Sequence, residues 1–436
     1  METTLPPGPP LPGIFQTLLM FSRPESFLLR CQRRYGRRFT LRLAGLGTYV
    51  YLTDPADIRA VFRGDPETFR AGEANAAFLG GLGPASLLVT DGDVHRRQRR
   101  LMMPAFHGQA LAAQASAMTD IAARDIETWP EGRPFAAWSR MRAITLEVIL
   151  RTVIGADDEQ RLASLRRVLP PLLDLGLLST LRQGKIRLVK ARADEALYAE
   201  IAACQADPAL GQRPDVLAML ARARDEDGAA MTPGELRDHL ITLLIAGHET
   251  TATGLSWALE RLVRHPEILA EAQRAARDGD DRYLDAVIAE TLRVRPVVPD
   301  VSRKLTRPAE VGGYLLPAGT MVDPAIVVVQ RSPENYPEPL RFDPGRFAAG
   351  PPDPAVWLPF GGGTRRCIGA AFASMEMRIV LREVLRRVEL APATARDEPA
   401  KVRNVTLTPR RGARITVRRR LLAAPSAAAA ASALSR

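Results

Sequence analysis

The apolar and polar positions of the chain first predict a hairpin and then a long helical region. Residues 39–43 and 48–52 carry β-branched and aromatic side chains on either side of a short turn, which predicts two antiparallel strands. From about residue 55 to residue 271 the apolar positions follow a mostly helical spacing. No unit of about 20–50 residues repeats along the chain, so the pattern disfavours solenoids and propellers.

The pattern changes in the last third of the chain. Short apolar runs at 311–317 and 321–329 are broken by proline and glycine and predict small strands, followed by an ordered coil rich in proline. A helical pattern returns at 367–388, and the chain then becomes basic and strand-like. We therefore expect a fold that is mainly α with small β-sheets.

One predicted helix is unusually long. Thr232, Pro233 and Glu235 have the form of a capping box with proline at the first helical position, and the next proline is Pro266. A helix between these points has about 32 residues and a length of roughly 48 Å. Its middle is apolar on several sides but contains Gly247, and it carries the carboxylate of Glu249 next to a hydroxyl. A polar group at the centre of a domain-spanning helix indicates a place for chemistry.

Composition places the chain among ordinary globular proteins. It has 436 residues, of which 46% are hydrophobic and 25% charged, which disfavours disordered, collagen-like and membrane-spanning classes. Length alone predicts two or three domains. Three cysteines cannot form a disulfide framework, and the start of the chain lacks the pattern of a secretory signal. We therefore expect a cytoplasmic protein without a membrane anchor.

The formal charge of +11 is concentrated near the end of the chain. Residues 401–420 contain eight lysine and arginine residues and no acidic residue. Such a segment allows binding to nucleic acid as one alternative. We expect no nucleic-acid partner, because arginines elsewhere in the chain can pair with other anionic groups.

The most informative segment is a glycine-rich loop that leads into a helix. Phe360, Gly363, Arg365, Cys367 and Gly369 lie within ten residues, and the helical pattern begins directly after them. Backbone N–H groups of such a loop can point at a sulfur, and the positive end of the helix favours the thiolate over the thiol. One thiolate held in this way is a suitable axial ligand for iron.

These five residues match the haem-binding signature of the cytochrome P-450 family, which the chain resembles. Further segments follow in the family's order: 246–251 resembles its oxygen-activation motif, 290–293 its E-x-x-R motif, and 342–347 its meander. The resemblance implies the family's fold, with the long central helix over a haem. It also implies one domain at 1–420, because motifs needed at one iron are spread over it, and a flexible Ala/Ser-rich tail at 421–436.

The resemblance assigns candidate roles to individual residues. It implies haem b with Cys367 as the metal ligand. The other expected haem-binding residues are His95, Arg99, Ala246, Arg303, Phe360, Arg365 and Gly369. The expected catalytic residues are Glu249 and Thr250, which would deliver protons to dioxygen, the co-substrate. The expected structural lock is Glu290, Arg293 and Arg346. The expected substrate-pocket residues are Leu243, Ala246, Val297, Val298, Val301, Thr406 and Leu407, and 78–89 and 169–178 would form a mobile roof.

The implied activity is a monooxygenase reaction on an apolar small molecule such as a fatty acid, terpenoid, steroid or macrolide. No flavin or nicotinamide fingerprint and no iron–sulfur cluster motif is found in the sequence. We therefore expect a monomer that receives electrons of NAD(P)H through a ferredoxin or flavodoxin with its reductase. Arg96, Arg97, Arg100 and Arg366 are the expected docking patch for that donor.

Three alternatives remain open at this stage. The chain could be a peroxide-driven or rearranging member of the family, a non-enzymatic haem sensor, or a nucleic-acid-binding protein. The pair Glu249-Thr250 favours the monooxygenase, because the first alternative dispenses with it. The sequence assigns no role to His248.

Overall fold

A computed structural model describes residues 4–173, 183–348, 350 and 352–421. Helices dominate this part of the chain and small sheets lie at its edges, which confirms the expected fold class. The helices are α1 (Gly13–Ser22), α2 (Pro24–Tyr35), α3 (Pro55–Arg63), α4 (Ala71–Leu79), α5 (Gly92–Met102), α6 (Gly108–Ala112), α7 (Ala115–Glu127), α8 (Ala137–Thr152), α9 (Glu159–Leu173), α10 (Gln183–Ala206), α11 (Val216–Arg222), α12 (Pro233–Arg264), α13 (Pro266–Asp278), α14 (Asp281–Val294), α15 (Ile326–Val329) and α16 (Ala370–Arg387).

The strands of the described part form sheets of two to five members. The strands are β1 (Arg38–Leu43), β2 (Gly47–Leu52), β3 (Phe69–Arg70), β4 (Phe135–Ala136), β5 (Arg303–Leu305), β6 (Ala309–Val311), β7 (Tyr314–Leu316), β8 (Met321–Pro324), β9 (Val388–Pro392), β10 (Ala400–Arg403), β11 (Thr406–Pro409) and β12 (Arg414–Arg420). Their orders are β1-β2-β8-β5-β3, β4-β12-β9, β6-β7 and β10-β11.

Helix α12 runs through the core without a break. Its capping box forms as predicted, since Thr232 Oγ1 accepts from the N–H of Glu235 at 3.2 Å and Glu235 Oε2 accepts from the N–H of Thr232 at 2.8 Å. A side chain at Gly247 would come within 3.3 Å of Ile149 on α8. The glycine therefore allows α8 to pack closely against the middle of α12.

The hairpin of β1 and β2 forms as predicted, with Phe39 opposite Tyr51. The prediction of small strands was right for β7 and β8 but wrong for the end of the run at 321–329. Strand β8 ends at Pro324, which has no N–H to donate to a further ladder, and the chain turns into the short helix α15.

The basic end of the chain is folded into sheets and largely paired. Strand β12 lies between β4 and β9, and Arg419 on it forms an ion pair of 2.5 Å with Glu389. Arg420 donates to the carbonyls of Glu127 and Trp129, at 3.0 and 2.8 Å. This part of the positive charge therefore stabilises the fold. Residues 422–436 of the expected tail, and 174–178 of the expected roof, lie outside the described residues.

None of the described helices combines the length and the apolar composition that a membrane crossing requires.

Helix α12 carries a histidine that should make the protein sensitive to acid. The His239 side chain is fully buried, and neither ring nitrogen has a hydrogen-bond partner among the described residues. Burial lowers the pKa of His239 to about 4. Between about pH 6.5 and pH 4 the unfolded chain binds this proton and the folded chain does not, so stability falls as the pH falls through that window. The full loss is about 3 kcal/mol.

We predict that the His239→Phe variant loses less unfolding free energy than the wild type when the pH is lowered from 7 to 5. Denaturant unfolding at the two pH values measures this difference, and His107→Gln, at an exposed histidine, is the control. An equal pH-dependent loss in wild type and His239→Phe would show that His239 is not the cause.

Candidate active site

The loop before α16 is shaped to present Cys367 at its end. The N–H of Cys367 donates to the carbonyl of Phe360 at 2.9 Å, and the N–H of Gly369 bonds to the Cys367 sulfur. Gly363 has a φ of +65°, and a side chain there would lie 2.0 Å from the carbonyl oxygen of Phe62 on α3. Glycine is therefore required at 363 both by its backbone conformation and by the close approach of α3.

The thiol of Cys367 lies among protein atoms near Arg99 and Arg366, although the residue keeps accessible surface. Burial raises the pKa of this thiol above its usual value. The N–H of Gly369, then Arg99 and Arg366, act in the opposite direction, but burial outweighs them. The sequence led us to expect these groups to favour the thiolate. Burial opposes these groups, and a cation bound at the sulfur would favour the thiolate.

Four cationic or potentially cationic side chains converge near the cysteine loop. His95 and Arg99 lie one turn apart on α5, Arg303 lies on β5, and Arg365 lies in the cysteine loop. Burial and then the guanidiniums of Arg365, Arg99 and Arg303 lower the pKa of His95 to about 3. Burial and Arg365 also lower the pKa of Arg303, to about 10. The positive charge of the cluster is therefore not fully neutralised by carboxylates of the protein around it.

The hydrogen bonds of the cluster show the same imbalance. Arg365 forms an ion pair with Asp91 and donates to the carbonyl of Thr90 at 2.7 Å. Arg303 donates to the carbonyl of Ser302 at 2.9 Å, and its guanidinium lies 5.5 Å from the centre of the Phe62 ring. Within the described ranges, the side chains of His95 and Arg99 meet no hydrogen-bond acceptor. A buried sulfur beside an under-neutralised cationic cluster fits an iron porphyrin with two carboxylates.

Glu249 and Thr250 lie in the middle of α12. The hydroxyl of Thr250 donates to the carbonyl of Ala246, one turn earlier. The hydroxyl oxygen can still accept a hydrogen bond. The Thr250 hydroxyl can donate to a different acceptor only when its bond to the Ala246 carbonyl opens. The carboxylate of Glu249 is buried and meets Thr406 at 3.1 Å and Arg403 at 3.1 Å, both through Oε1.

His248 faces α8, where its hydrogen-bonding groups are satisfied. Thr145 Oγ1 lies 2.9 Å from His248 Nδ1 and also donates to the His248 carbonyl at 3.1 Å. Arg142 Nε donates to His248 Nε2 at 3.3 Å. The imidazole therefore has a structural environment that explains its presence in a core helix.

The expected pocket residues divide into two groups. Partly exposed side chains are found at Leu243, Ala246, Val298 and Val301. Val297, Thr406 and Leu407 are buried. The N–H of Leu407 donates to the carbonyl of Val297 at 2.7 Å, and Trp257 Nε1 donates to the Leu407 carbonyl at 2.9 Å. The partly exposed residues have surface with which to line a cavity. The buried residues instead take part in the packing of β11 against its neighbours, including α12.

Glu290 and Arg293 form a fully buried ion pair on α14. Arg293 Nε donates to Glu290 Oε2 at 2.6 Å, and Arg293 Nη2 donates to Oε1 at 2.8 Å. Arg346 Nε lies 3.6 Å from the same carboxylate. The remaining Arg293 donors reach the carbonyls of Gln330, Pro339 and Arg341, at 2.9, 2.8 and 3.1 Å. The structure thus brings the three expected lock residues together with the coil that precedes the cysteine loop.

Most of the expected docking patch on α5 is paired with carboxylates of the same chain. Arg97 is paired with Asp225 at 2.6 Å and Glu235 at 2.8 Å, Arg100 is paired with Glu226, and Arg96 is paired with Asp93. Residues of α5 and of the acidic loop at 225–227 together line a groove of about 640 Å³. These arginines are neutralised because the loop before α12 brings carboxylates to them.

Sequence reasoning missed several partners of the expected site residues. Asp91 pairs with Arg365, Arg403 pairs with Glu249, and Thr145 satisfies His248. Each pair joins segments more than 100 residues apart in the chain, and no local sequence pattern predicts such contacts. The acidic loop at 225–227 was visible in the sequence, but its position over α5 was not.

Comparison with known proteins agrees with this geometry. The family description Cytochrome P450 matches residues 6–417 of the chain. The chain belongs to the cytochrome P450 family. The fold, the expected family and the expected enzyme class are thereby confirmed, and this P450 is a monooxygenase.

Curated relatives of this P450 occur in mycobacteria. It is 56% identical over 431 residues to cytochrome P450 135B1 of Mycobacterium tuberculosis, which covers 95% of this chain and 91% of the relative. It is 38% identical over 429 residues to cytochrome P450 138 of the same organism, covering 95% of this chain and 97% of the relative.

Solved structures share its fold. The retinoic acid-bound cyanobacterial CYP120A1 has a TM-score of 0.82 and 27% identity, over 96% of this chain and 100% of that one. The haem domain of cytochrome P450DA also has a TM-score of 0.82, over 96% of this chain and 98% of that one, at 22% identity, and supports the fold alone.

We predict that Arg293→Ala strongly destabilises this P450. The substitution leaves the Glu290 carboxylate buried without its cation, which costs about 3–5 kcal/mol of unfolding free energy. Arg274→Ala is the matched control, because Arg274 forms an exposed ion pair with Glu271 at the same spacing of three residues. Denaturant unfolding measures both variants, and a loss below about 1 kcal/mol in Arg293→Ala would contradict the structural role.

Proposed function

We propose that this P450 is a haem-thiolate monooxygenase in which Cys367 would hold the iron of haem b. His95, Arg99, Arg303 and Arg365 would bind the propionates, and Ala246, Phe360 and Gly369 would adjoin the haem. The observation that carries the proposal is that the thiol at the end of the glycine-rich loop lies beside an under-neutralised cluster of cationic side chains. When bound, the haem supplies the reductive activation of dioxygen.

The protein's own part in the reaction is to bring protons to dioxygen. Glu249 is a buried carboxylate next to Thr250 on the helix that crosses the site. We assign proton relay to the Glu249 carboxylate and donation to the Thr250 hydroxyl, once its bond to the Ala246 carbonyl opens. This pair favours the monooxygenase over a peroxide-driven or rearranging activity, which does not need it.

We propose an apolar substrate such as a fatty acid, terpenoid, steroid or macrolide, hydroxylated at C–H or epoxidised at C=C bonds. Leu243, Ala246, Val298 and Val301 offer apolar side chains with accessible surface. The structural relative bound to retinoic acid supports a ligand of this type. The buried Leu407 contributes mainly by holding α12 and the segment at Val297 in place.

We propose one domain at 1–420, acting as a monomer in the cytoplasm. The largest core cluster extends from Leu82 to Val417, and two further clusters pack buried residues of the first 80 positions against residues after 300. The proposed site residues are supplied by a single chain, so a second copy is not needed to complete the site.

The proposal is tested by the carbon monoxide difference spectrum of the reduced holoenzyme. We predict the red-shifted Soret band of a thiolate-ligated haem in the wild type and in Cys204→Ala, and its loss in Cys367→Ala. Cys204 is a suitable control because its thiol is buried in the core, away from the glycine-rich loop. A red-shifted band that persists in Cys367→Ala would refute the ligand assignment.

Electrons come from NAD(P)H through a separate ferredoxin or flavodoxin with its reductase. We place the docking surface at Arg59, Arg63 and Arg366, three exposed arginines that lack a carboxylate partner in the described part of the chain. Arg59 and Arg63 lie one turn apart on α3, whose Phe62 packs against Gly362 and Gly363 of the cysteine loop. Arg366 adjoins Cys367. An acidic donor bound here would lie close to the sulfur.

We predict that Arg63→Gln and Arg366→Gln each raise the dissociation constant of an acidic ferredoxin about fivefold at low ionic strength. The effect should shrink as salt is added, because exposed charges are screened. Arg100→Gln is the control, since Arg100 is already paired with Glu226. Titration of the holoenzyme measures the three constants. A larger effect in Arg100→Gln than in Arg366→Gln would place the donor on α5 instead.

A further inference from the structure

The proposed proton-relay carboxylate is held by the tip of a hairpin far away in the sequence. Arg403 is the last residue of β10 and Thr406 the first of β11, and the two stand opposite each other in the register. Both reach the same atom, Glu249 Oε1, at 3.1 Å. Two short strands therefore deliver a cation and a hydroxyl to one carboxylate oxygen on α12.

The turn between these two residues is tight. Asn404 has a φ of +53°, in the left-handed region that asparagine tolerates, and Val405 next to it is exposed. The tip thus has one end in solvent and the other at Glu249. Its geometry fixes the separation of Arg403 and Thr406.

Arg403 is also supported from the side by α8. Its guanidinium lies 5.3 Å from the centre of the Trp138 ring, and the guanidinium of Arg142 lies 4.8 Å from the same ring. Trp138 Nε1 in turn lies 3.4 Å from Thr253 Oγ1 on α12. Cation–π contacts of this kind restrict where a long side chain can point.

Glu249 and Arg403 differ in how far their side chains are exposed to solvent. The side chain of Glu249 is 10% exposed and that of Arg403 is 28% exposed. Arg403 therefore extends from the buried carboxylate towards the surface. The Thr406 hydroxyl has one proton, which it can give either to Glu249 or to the carbonyl of Arg403 at 2.8 Å. Glu249 therefore has two partners at the tip of the hairpin. Arg403 is a fixed cation, whereas the Thr406 hydroxyl can donate its proton to Glu249 or to the Arg403 carbonyl.

We propose that Arg403 and Thr406 are positioning residues for Glu249, so that the β10–β11 hairpin sets the rate of proton delivery to the site. Arg403 orients the carboxylate and Thr406 offers it an exchangeable hydrogen bond, while Trp138 keeps Arg403 in place. This proposal rests on the proposed monooxygenase function. The competing explanation is that the ion pair only anchors the hairpin to α12.

The experiment compares variants of the reconstituted holoenzyme at saturating ferredoxin. NADPH-driven oxygen uptake is measured in H2O and in D2O, without an organic substrate. Glu249→Gln and Thr250→Ala set the scale for impaired proton delivery. The test variants are Arg403→Gln and Thr406→Val. Arg403→Lys is the conservative variant, and Arg410→Gln, at an exposed arginine of the same hairpin region, is the matched control.

We predict that Arg403→Gln and Thr406→Val slow oxygen uptake about tenfold and increase its solvent isotope effect, towards the values of Glu249→Gln. Arg403→Lys should restore most of the rate, and Arg410→Gln should behave as the wild type. An anchoring role alone would not increase the isotope effect. A rate and isotope effect in both test variants that equal those of Arg410→Gln would overturn the proposal.

Thermal unfolding provides a measurement that is independent of turnover. Glu249→Gln should lower the melting temperature more in the wild type than in the Arg403→Gln background, because the pair is already broken there. Equal decreases in both backgrounds would refute the coupling. The carbon monoxide spectrum separates the failure of the haem assignment from the failure of the positioning role. If the wild type lacked the red-shifted band, the haem assignment would be wrong, but the coupling between Arg403 and Glu249 could still be measured by thermal unfolding.

Discussion

The buried ion pair between Glu290 and Arg293 is the interaction on which the geometry of the site depends. Arg293 satisfies carbonyls of Gln330, Pro339 and Arg341, so a single guanidinium holds a coil that has almost no regular structure of its own. Gln330 Oε1 then accepts from the N–H of Leu358 at 2.8 Å, directly before the cysteine loop. A thiol can be placed accurately at the end of a glycine-rich loop only because the preceding coil is fixed in this way.

The second constraint is electrostatic. His95, Arg99, Arg303 and Arg365 are brought together at a cost, which is visible in the lowered pKa values of His95 and Arg303. Asp91 is paired with only one of the four. Anionic carboxylates of a bound haem would relieve the repulsion, and iron would supply the cation that the buried Cys367 thiol lacks. Binding of the cofactor therefore removes two unfavourable features of the protein at once.

The sequence predicted those features that local chemistry determines. The capping box at Thr232 and Glu235 located the start of α12, and the glycine-rich pattern located the loop that ends at Cys367. It could not predict features that arise from packing. The acidic loop at 225–227 covers α5, so the expected docking arginines are neutralised. The ion pair of Arg403 with Glu249 joins a C-terminal hairpin to the central helix, and neither segment carries a local signal of the other. The strand expected at 321–329 stops early because of Pro324.

The haem site is tested by a crystal structure of the haem-loaded protein. We predict continuous density between the iron and Cys367 Sγ, with the propionates hydrogen-bonded among His95, Arg99, Arg303 and Arg365. We also predict that Glu249 and Thr250 lie on the opposite face of the haem from Cys367. An iron held by a different side chain, or propionates directed away from the four cationic residues, would contradict the haem assignment.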